Sequence, residues 1–164
     1  MTEHQRLFLV QATTDYSVFN LLRKQPELPD CHLLHYLQMA TELFGKAWAW
    51  KHGPILSSHR AFVGFLRSMT TNRQAQQQLG YQGRNENWKH IIRKSISLAE
   101  RIEDLAPALT PNGPNPEYPW PRQDPVEAPA EHRFAVWQDL QETAHGRQFL
   151  KLLGNLFASA ETFL

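Results

Sequence analysis

Seven basic side chains crowd the stretch from position 59 to 94, namely Arg60, Arg67, Arg73, Arg84, Lys89, Arg93 and Lys94, against one carboxylate, Glu86. Such a run can attract an anionic partner, and RNA is the obvious one. A solvated basic surface, balanced in space by acidic groups elsewhere, accounts for the same residues. Three other groupings suggest different chemistry. Cys31, His32 and His35 open one predicted helix, and the two histidines are one turn apart, as two ligands of a single ion would be. No downstream Cys-x-x-Cys or second His pair completes that set. Glu142-Thr-Ala-His145 is one Glu-x-x-His, where a di-iron bundle needs two copies and further carboxylates. Gly80 and Gly83 lack the preceding strand and the lysine of a phosphate-cradling loop. Neither a metal nor another cofactor is therefore expected.

The elements that must position these residues read as helices. Phe8, Ala12, Tyr16, Phe19 and Leu22 recur at helical spacing over about residues 3–24, and Pro26 and Pro29 end that run. A second helix is predicted over 30–52, with Asp30 as its N-cap and Gly53-Pro54 as its stop. Its stripe of Leu33, Tyr36, Leu37, Ala40, Leu43, Phe44 and Ala47 is wide enough for the centre of a core. Gly45 costs this helix about 1 kcal/mol relative to Ala, which makes sense if another backbone packs there. Ser57 or Ser58 is the expected cap of a third helix bearing Ala61, Phe62, Phe65, Leu66 and Met69. The polar stretch 70–78 reads as loop or exposed helix. A fourth helix is predicted from near Asn85, with Trp88, Ile91, Ile92 and Leu98, to Pro107. Eight of the eleven prolines fall between Pro107 and Pro129. No helix survives there, and Tyr118 and Trp120 are the expected anchors of an irregular segment. Phe134, Trp137 and Leu140 mark a fifth helix, with Gly146 separating it from a sixth.

Three stretches resemble the HEPN family, helical domains found in prokaryotic toxins and nucleotide-binding modules. Gln11-Ala-Thr-Thr-Asp-Tyr16 with Leu21-Leu22 is similar to the family's first helix. His35-Tyr-Leu-Gln-Met-Ala-Thr-Glu-Leu-Phe-Gly-Lys-Ala47 is similar to its second, with an Ala, a Glu and a Lys-Ala at the same offsets. Ser58-His59-Arg-Ala-Phe62 resembles the His that opens its short third helix. The order and spacing agree over roughly residues 3–70. Glu117-Tyr-Pro119 resembles an Arg-Tyr-Pro element, with Glu in place of the usual Arg.

The resemblance implies an all-α, up-down bundle of four to six helices and a homodimer. It also implies a possible nucleotidyltransferase-like partner protein of toxin–antitoxin type. In its ribonuclease members an Arg, usually followed by a polar residue, precedes a His by four to six intervening residues, and Arg84-Asn85 with His90 fits, with five between. The resemblance then makes Arg84, Asn85 and His90 the catalytic set of a metal-independent endoribonuclease. His90 would exchange a proton with the ribose 2′-hydroxyl or the leaving 5′-oxygen, and Arg84 would neutralise charge on the phosphate. Six residues turn an ideal helix through about 600°, so Arg84 and His90 meet only if the helix starts after Arg84. Arg60, Arg67, Lys89 and Arg93 would position the strand. Ordinary surface residues at a helix start are the plain alternative.

The totals fit one domain over residues 1–164, with 41% hydrophobic and 20% charged residues. Charge is unevenly spread: ten basic and five acidic side chains over 31–110, against four and seven over 111–164. No apolar run approaches the roughly 18 residues of a membrane span, and Leu7–Val10 is too short for a signal peptide. One cysteine excludes an intrachain disulfide. A cytoplasmic protein that binds RNA, a nucleotide or a partner protein, with ribonuclease as the alternative, is the functional expectation.

Overall fold

A computed structural model describes residues 1–50, 59–121 and 126–164. Among these there are seven α-helices and no strand, beyond an isolated bridge between Trp120 and Glu127. The helices are α1 (Glu3–Leu22), α2 (Asp30–Ala49), α3 (Ala61–Met69), α4 (Arg73–Gln78), α5 (Asn85–Glu103), α6 (Ala135–Glu142) and α7 (Ala144–Ala158). None is long and apolar enough to cross a membrane.

Helix α1 starts on a capping box: the Thr2 hydroxyl accepts from the Gln5 amide, and the Gln5 side chain accepts from the Thr2 amide. Gln5 also donates to the Ala47 carbonyl at 3.2 Å, so the start of α1 lies beside the end of α2 and the two run antiparallel. His4 stacks on Trp50 at the same end. Helix α2 is the core element, with Leu34, Leu37, Phe44 and Ala47 fully buried. Phe44 meets Phe62 and Phe65 of α3 edge-on and Phe157 of α7, an aromatic cluster in the preferred tilted geometry. The close approach expected at Gly45 is present. A Cβ there would lie 2.3 Å from the Phe62 nitrogen and 2.4 Å from the Ala61 carbonyl carbon.

Several boundaries differ from the sequence expectation. Asp30 is the first helical residue of α2 and not its cap; Pro29 stands at the cap, and the Asp30 carboxylate takes the Phe134 amide at 3.4 Å. Ser57 and Ser58 lie outside the described residues, and α3 follows Arg60 without a side-chain cap of its own. Within the polar stretch 70–78, Arg73–Gln78 form α4, because Asn72 caps it through the Ala75 amide. The break after the fifth expected helix falls at Thr143, whose hydroxyl accepts from Gly146 to start α7. Gly146 is needed for contact, since a Cβ there would lie 2.0 Å from the Asp139 carbonyl oxygen.

Between Pro107 and Pro121 the chain is irregular, as the prolines require. Asn115 is buried and its side-chain oxygen takes the amides of Glu117 and Tyr118, closing a turn in place of backbone pairing. Of the two expected anchors only Trp120 inserts, against His132 and Phe134; Tyr118 is 61% exposed.

Candidate functional site

Two clusters gather side chains able to do chemistry. The first lies at the start of α5. Gly80 and Gly83 both take positive φ, at 78° and 72°, which L-residues with a Cβ adopt at a cost. The turn they make sets Arg84 at the N-cap position and begins the helix at Asn85, the arrangement that the pairing of Arg84 with His90 requires. Asn85 accepts from the Gln76 side chain at 2.9 Å, and Gln76 also donates to the Tyr81 carbonyl, so α4 and α5 are tied at this point. Trp88 is buried beneath, its indole donating to the Met69 carbonyl. Thr70, Thr71, Arg73, Gln76, Asn85, Trp88 and Lys89 enclose a cleft of about 240 Å³. No carboxylate lines it.

His90 is exposed on another side of α5. Its ring lies 5.6 Å from that of His145 on α7, whereas Asn85 and Lys89 face α4. No side-chain hydrogen bond or ion pair joins exposed Arg84 to another described residue. Within one chain the structure thus brings Asn85 and Lys89 together and leaves His90 apart from them. The basic row divides as well. Lys89 pairs with Glu86 at 2.8 Å and Arg93 is exposed nearby. Arg60 and Arg67 lie toward the far end of α5, where Arg60 pairs with Asp104 and Arg67 with Glu100. Exposed pairs of this kind contribute little stability, about 0–1 kcal/mol each, yet they neutralise charge that the sequence suggested was free.

The second cluster is buried between α2, α3 and the end of α5. Glu42 accepts from the Gln38 amide at 2.7 Å and from the Lys46 ammonium at 2.5 Å, and its other partner is His59 Nδ1 at 3.0 Å. Burial pushes the Glu42 carboxyl pKa up, but the bonds from Lys46 and His59 outweigh it and hold the group below its ordinary value. His59 remains 30% exposed, with one ring nitrogen held by Glu42. That is the orientation by which a carboxylate presents an imidazole for proton transfer. The Glu, Lys and His that carried part of the family resemblance are therefore in direct contact.

Glu103 is fully buried close by. One carboxyl oxygen accepts the Phe62 and Val63 amides at 3.0 and 3.2 Å, which caps α3 from another helix. The second oxygen is buried without a partner among the described residues. Burial raises the pKa of this group to about 7, against the pull of the two amides and of Arg60, with the Glu42 charge pushing the same way as burial.

No family model matches the chain, and comparison with curated proteins and with solved structures returns no match. The local geometry alone therefore carries the functional reading. Among the described residues no group of three or more His, Cys, Asp and Glu could hold a metal ion: Cys31 is buried and its neighbour His32 is exposed. His35 instead sits 3.6 Å from Glu117, so the irregular segment contacts α2 through this side chain. Gln38 and Glu103 were not singled out from the sequence. Their signal was available, since both interrupt apolar stripes at helical spacing, Gln38 four residues before Glu42 and Glu103 one residue after Ile102.

Proposed function

We propose that this is a HEPN-like helical protein that binds RNA along the start of α5. One observation carries the reading: the cleft of Arg73, Lys89, Asn85, Gln76, Thr70 and Thr71 is basic and hydroxyl-rich, has no carboxylate in its wall, and is flanked by exposed Arg84 and Arg93. Cationic groups and hydroxyls suit phosphodiester oxygens, with Lys89 exchanging its exposed partner Glu86 for a phosphate, and Trp88 makes the floor rigid. The family resemblance supports the same class of partner, and a nucleotidyltransferase-like protein remains the protein partner it implies. The positions assigned to strand binding shift accordingly, toward Arg73, Lys89 and Arg93 at the cleft and away from Arg60 and Arg67, which lie toward the far end of α5.

The start of α5 after Arg84 supports a second reading, metal-independent cleavage by Arg84, Asn85 and His90. One experiment addresses both. Labelled single-stranded RNA is titrated with the wild type, with Arg73→Ala/Lys89→Ala and with Arg67→Ala, in chelator and across a salt series. Binding is expected to weaken steeply with salt, with the double variant losing about tenfold or more and Arg67→Ala little. No binding by the wild type, or equal loss in both variants, defeats the binding reading. Intact RNA after long incubation with the wild type defeats cleavage, as does equal cleavage by His90→Ala.

A further inference from the structure

His90 has a neighbour of its own kind on another helix. Its imidazole lies 5.6 Å, centre to centre, from that of His145 on α7, with the two planes tilted by 57°. Both residues are exposed, and neither side chain is hydrogen-bonded or ion-paired to another described residue. The elements that carry them are fixed. His90 is followed on α5 by Ile91 and Ile92, which are buried in the core. His145 lies in the first turn of α7. The joint of that helix with α6 is held by the Thr143 cap and by Arg147, which donates to the Gln141 and Glu142 carbonyls. Two free imidazoles thus stand side by side on packed helices, the setting in which a catalytic pair keeps its geometry.

The charges around the pair select its chemistry. Within four residues of either histidine, Lys89, Arg93, Lys94 and Arg147 stand against Glu86 and Glu142, and Glu86 is already paired with Lys89. A cation would meet net repulsion here, whereas a phosphodiester would be drawn in. Lys94 is exposed one turn beyond His90, without a hydrogen bond or ion pair, and can meet charge developing on the phosphate. Cleaving RNA at that phosphate takes two proton transfers on opposite sides of one phosphorus atom. A neutral imidazole takes the proton of the ribose 2′-hydroxyl as the O2′–P bond forms. The P–O5′ bond breaks, its electron pair passes to O5′, and the protonated imidazole beside it gives that oxygen its proton. The products are a 2′,3′-cyclic phosphate and a 5′-hydroxyl, and the two histidines end with their protonation states exchanged. A single histidine would have to perform both transfers in turn.

We propose that His145 is a second catalytic residue, forming with His90 an acid–base pair between α5 and α7 of one chain for the cleavage of single-stranded RNA. The inference rests on the cleavage reading above and gives His90 a partner other than Asn85, which faces α4. The test follows the full chain, in chelator, on an RNA whose 5′-oxygen at a linkage the wild type cuts is kept or replaced by sulfur. A thiolate leaves without needing a proton. On the oxygen substrate, His90→Ala and His145→Ala are each expected to lose about 10²–10⁴-fold in cleavage rate, with RNA binding unchanged. On the sulfur substrate, the variant lacking the acid is expected to regain most of the wild-type rate, and the variant lacking the base is not. His145→Gln keeps the polarity of this exposed position and is expected to behave as His145→Ala. Wild-type cleavage by His145→Ala overturns the pair and leaves cleavage by His90 standing. Rescue by sulfur of both variants, or of neither, does the same, as does loss of RNA binding in both His145 variants. Intact RNA after incubation with the wild type overturns the pair and the cleavage reading together.

Discussion

Substituting Glu103 by Gln isolates the energetic consequence of the buried carboxyl that caps α3. The wild-type pKa lies at about 7, against an ordinary 4.5. At about 1.4 kcal/mol per pH unit, that displacement is worth about 3 kcal/mol of preference for the neutral acid in the folded state. Because the folded value is raised, the native chain holds the proton more tightly than the unfolded chain. The stabilisation is full below about pH 4.5 and is lost as pH rises through about 7. Gln has the same shape, keeps an oxygen for the Phe62 and Val63 amides, and does not titrate. Urea unfolding of both proteins at steps from pH 4.5 to 8 gives the difference in stability, in which the other titrating groups largely cancel. That difference is expected to shift by about 3 kcal/mol in favour of the Gln variant across the range. A flat difference would show that the carboxyl is solvated in the native state, contrary to its burial.

Two further substitutions test the packing around the same helices. Gly45→Ala forces a Cβ into the Ala61–Phe62 backbone and is expected to cost about 1–3 kcal/mol or more by thermal unfolding, with an unchanged melting temperature counting against the close approach. Lys46→Met removes one partner of buried Glu42 and is expected to cost about 3 kcal/mol at pH 7. Since the Glu42 pKa is held below 4.5, its contribution is present above that pH and fades in acid, so the gap should narrow toward pH 3; a gap that persists there refutes the pairing.

The helices with apolar stripes were legible because burial imposes a 3.6-residue period on residue type. Helix α4 was left open because six residues of Arg, Gln and Ala carry no stripe, and only the Asn72 cap marks its start. The role of Asp30 was misread because a cap depends on backbone angles as well as residue type, and Pro29 takes that position. Tyr118 and Trp120 look alike in sequence, with prolines on each side, and no periodicity tells which one faces inward. At the candidate site, glycines 80 and 83 announced the turn that starts α5. The pairing of Arg60 with Asp104 and Arg67 with Glu100 was not readable, because those partners lie 44 and 33 residues apart. The Glu42 cluster was visible only as a resemblance, since its contact with His59 depends on how α3 is placed against α2.

The position of Phe157 has a consequence for how the chain acquires this structure. Its ring stacks on Tyr16 at 4.0 Å and meets Phe44 at 5.3 Å, so a residue near the end of α7 closes the seam between α1 and α2. The α1–α2 hairpin is synthesised well before α7, and Tyr16 and Phe44 gain this cover only after more than a hundred further residues have been added. During that interval the growing chain presents aromatic surface on a half-built core, the state in which a nascent polypeptide is most prone to aggregate. Translation speed and chaperone supply should therefore set the yield of this protein before its final stability does.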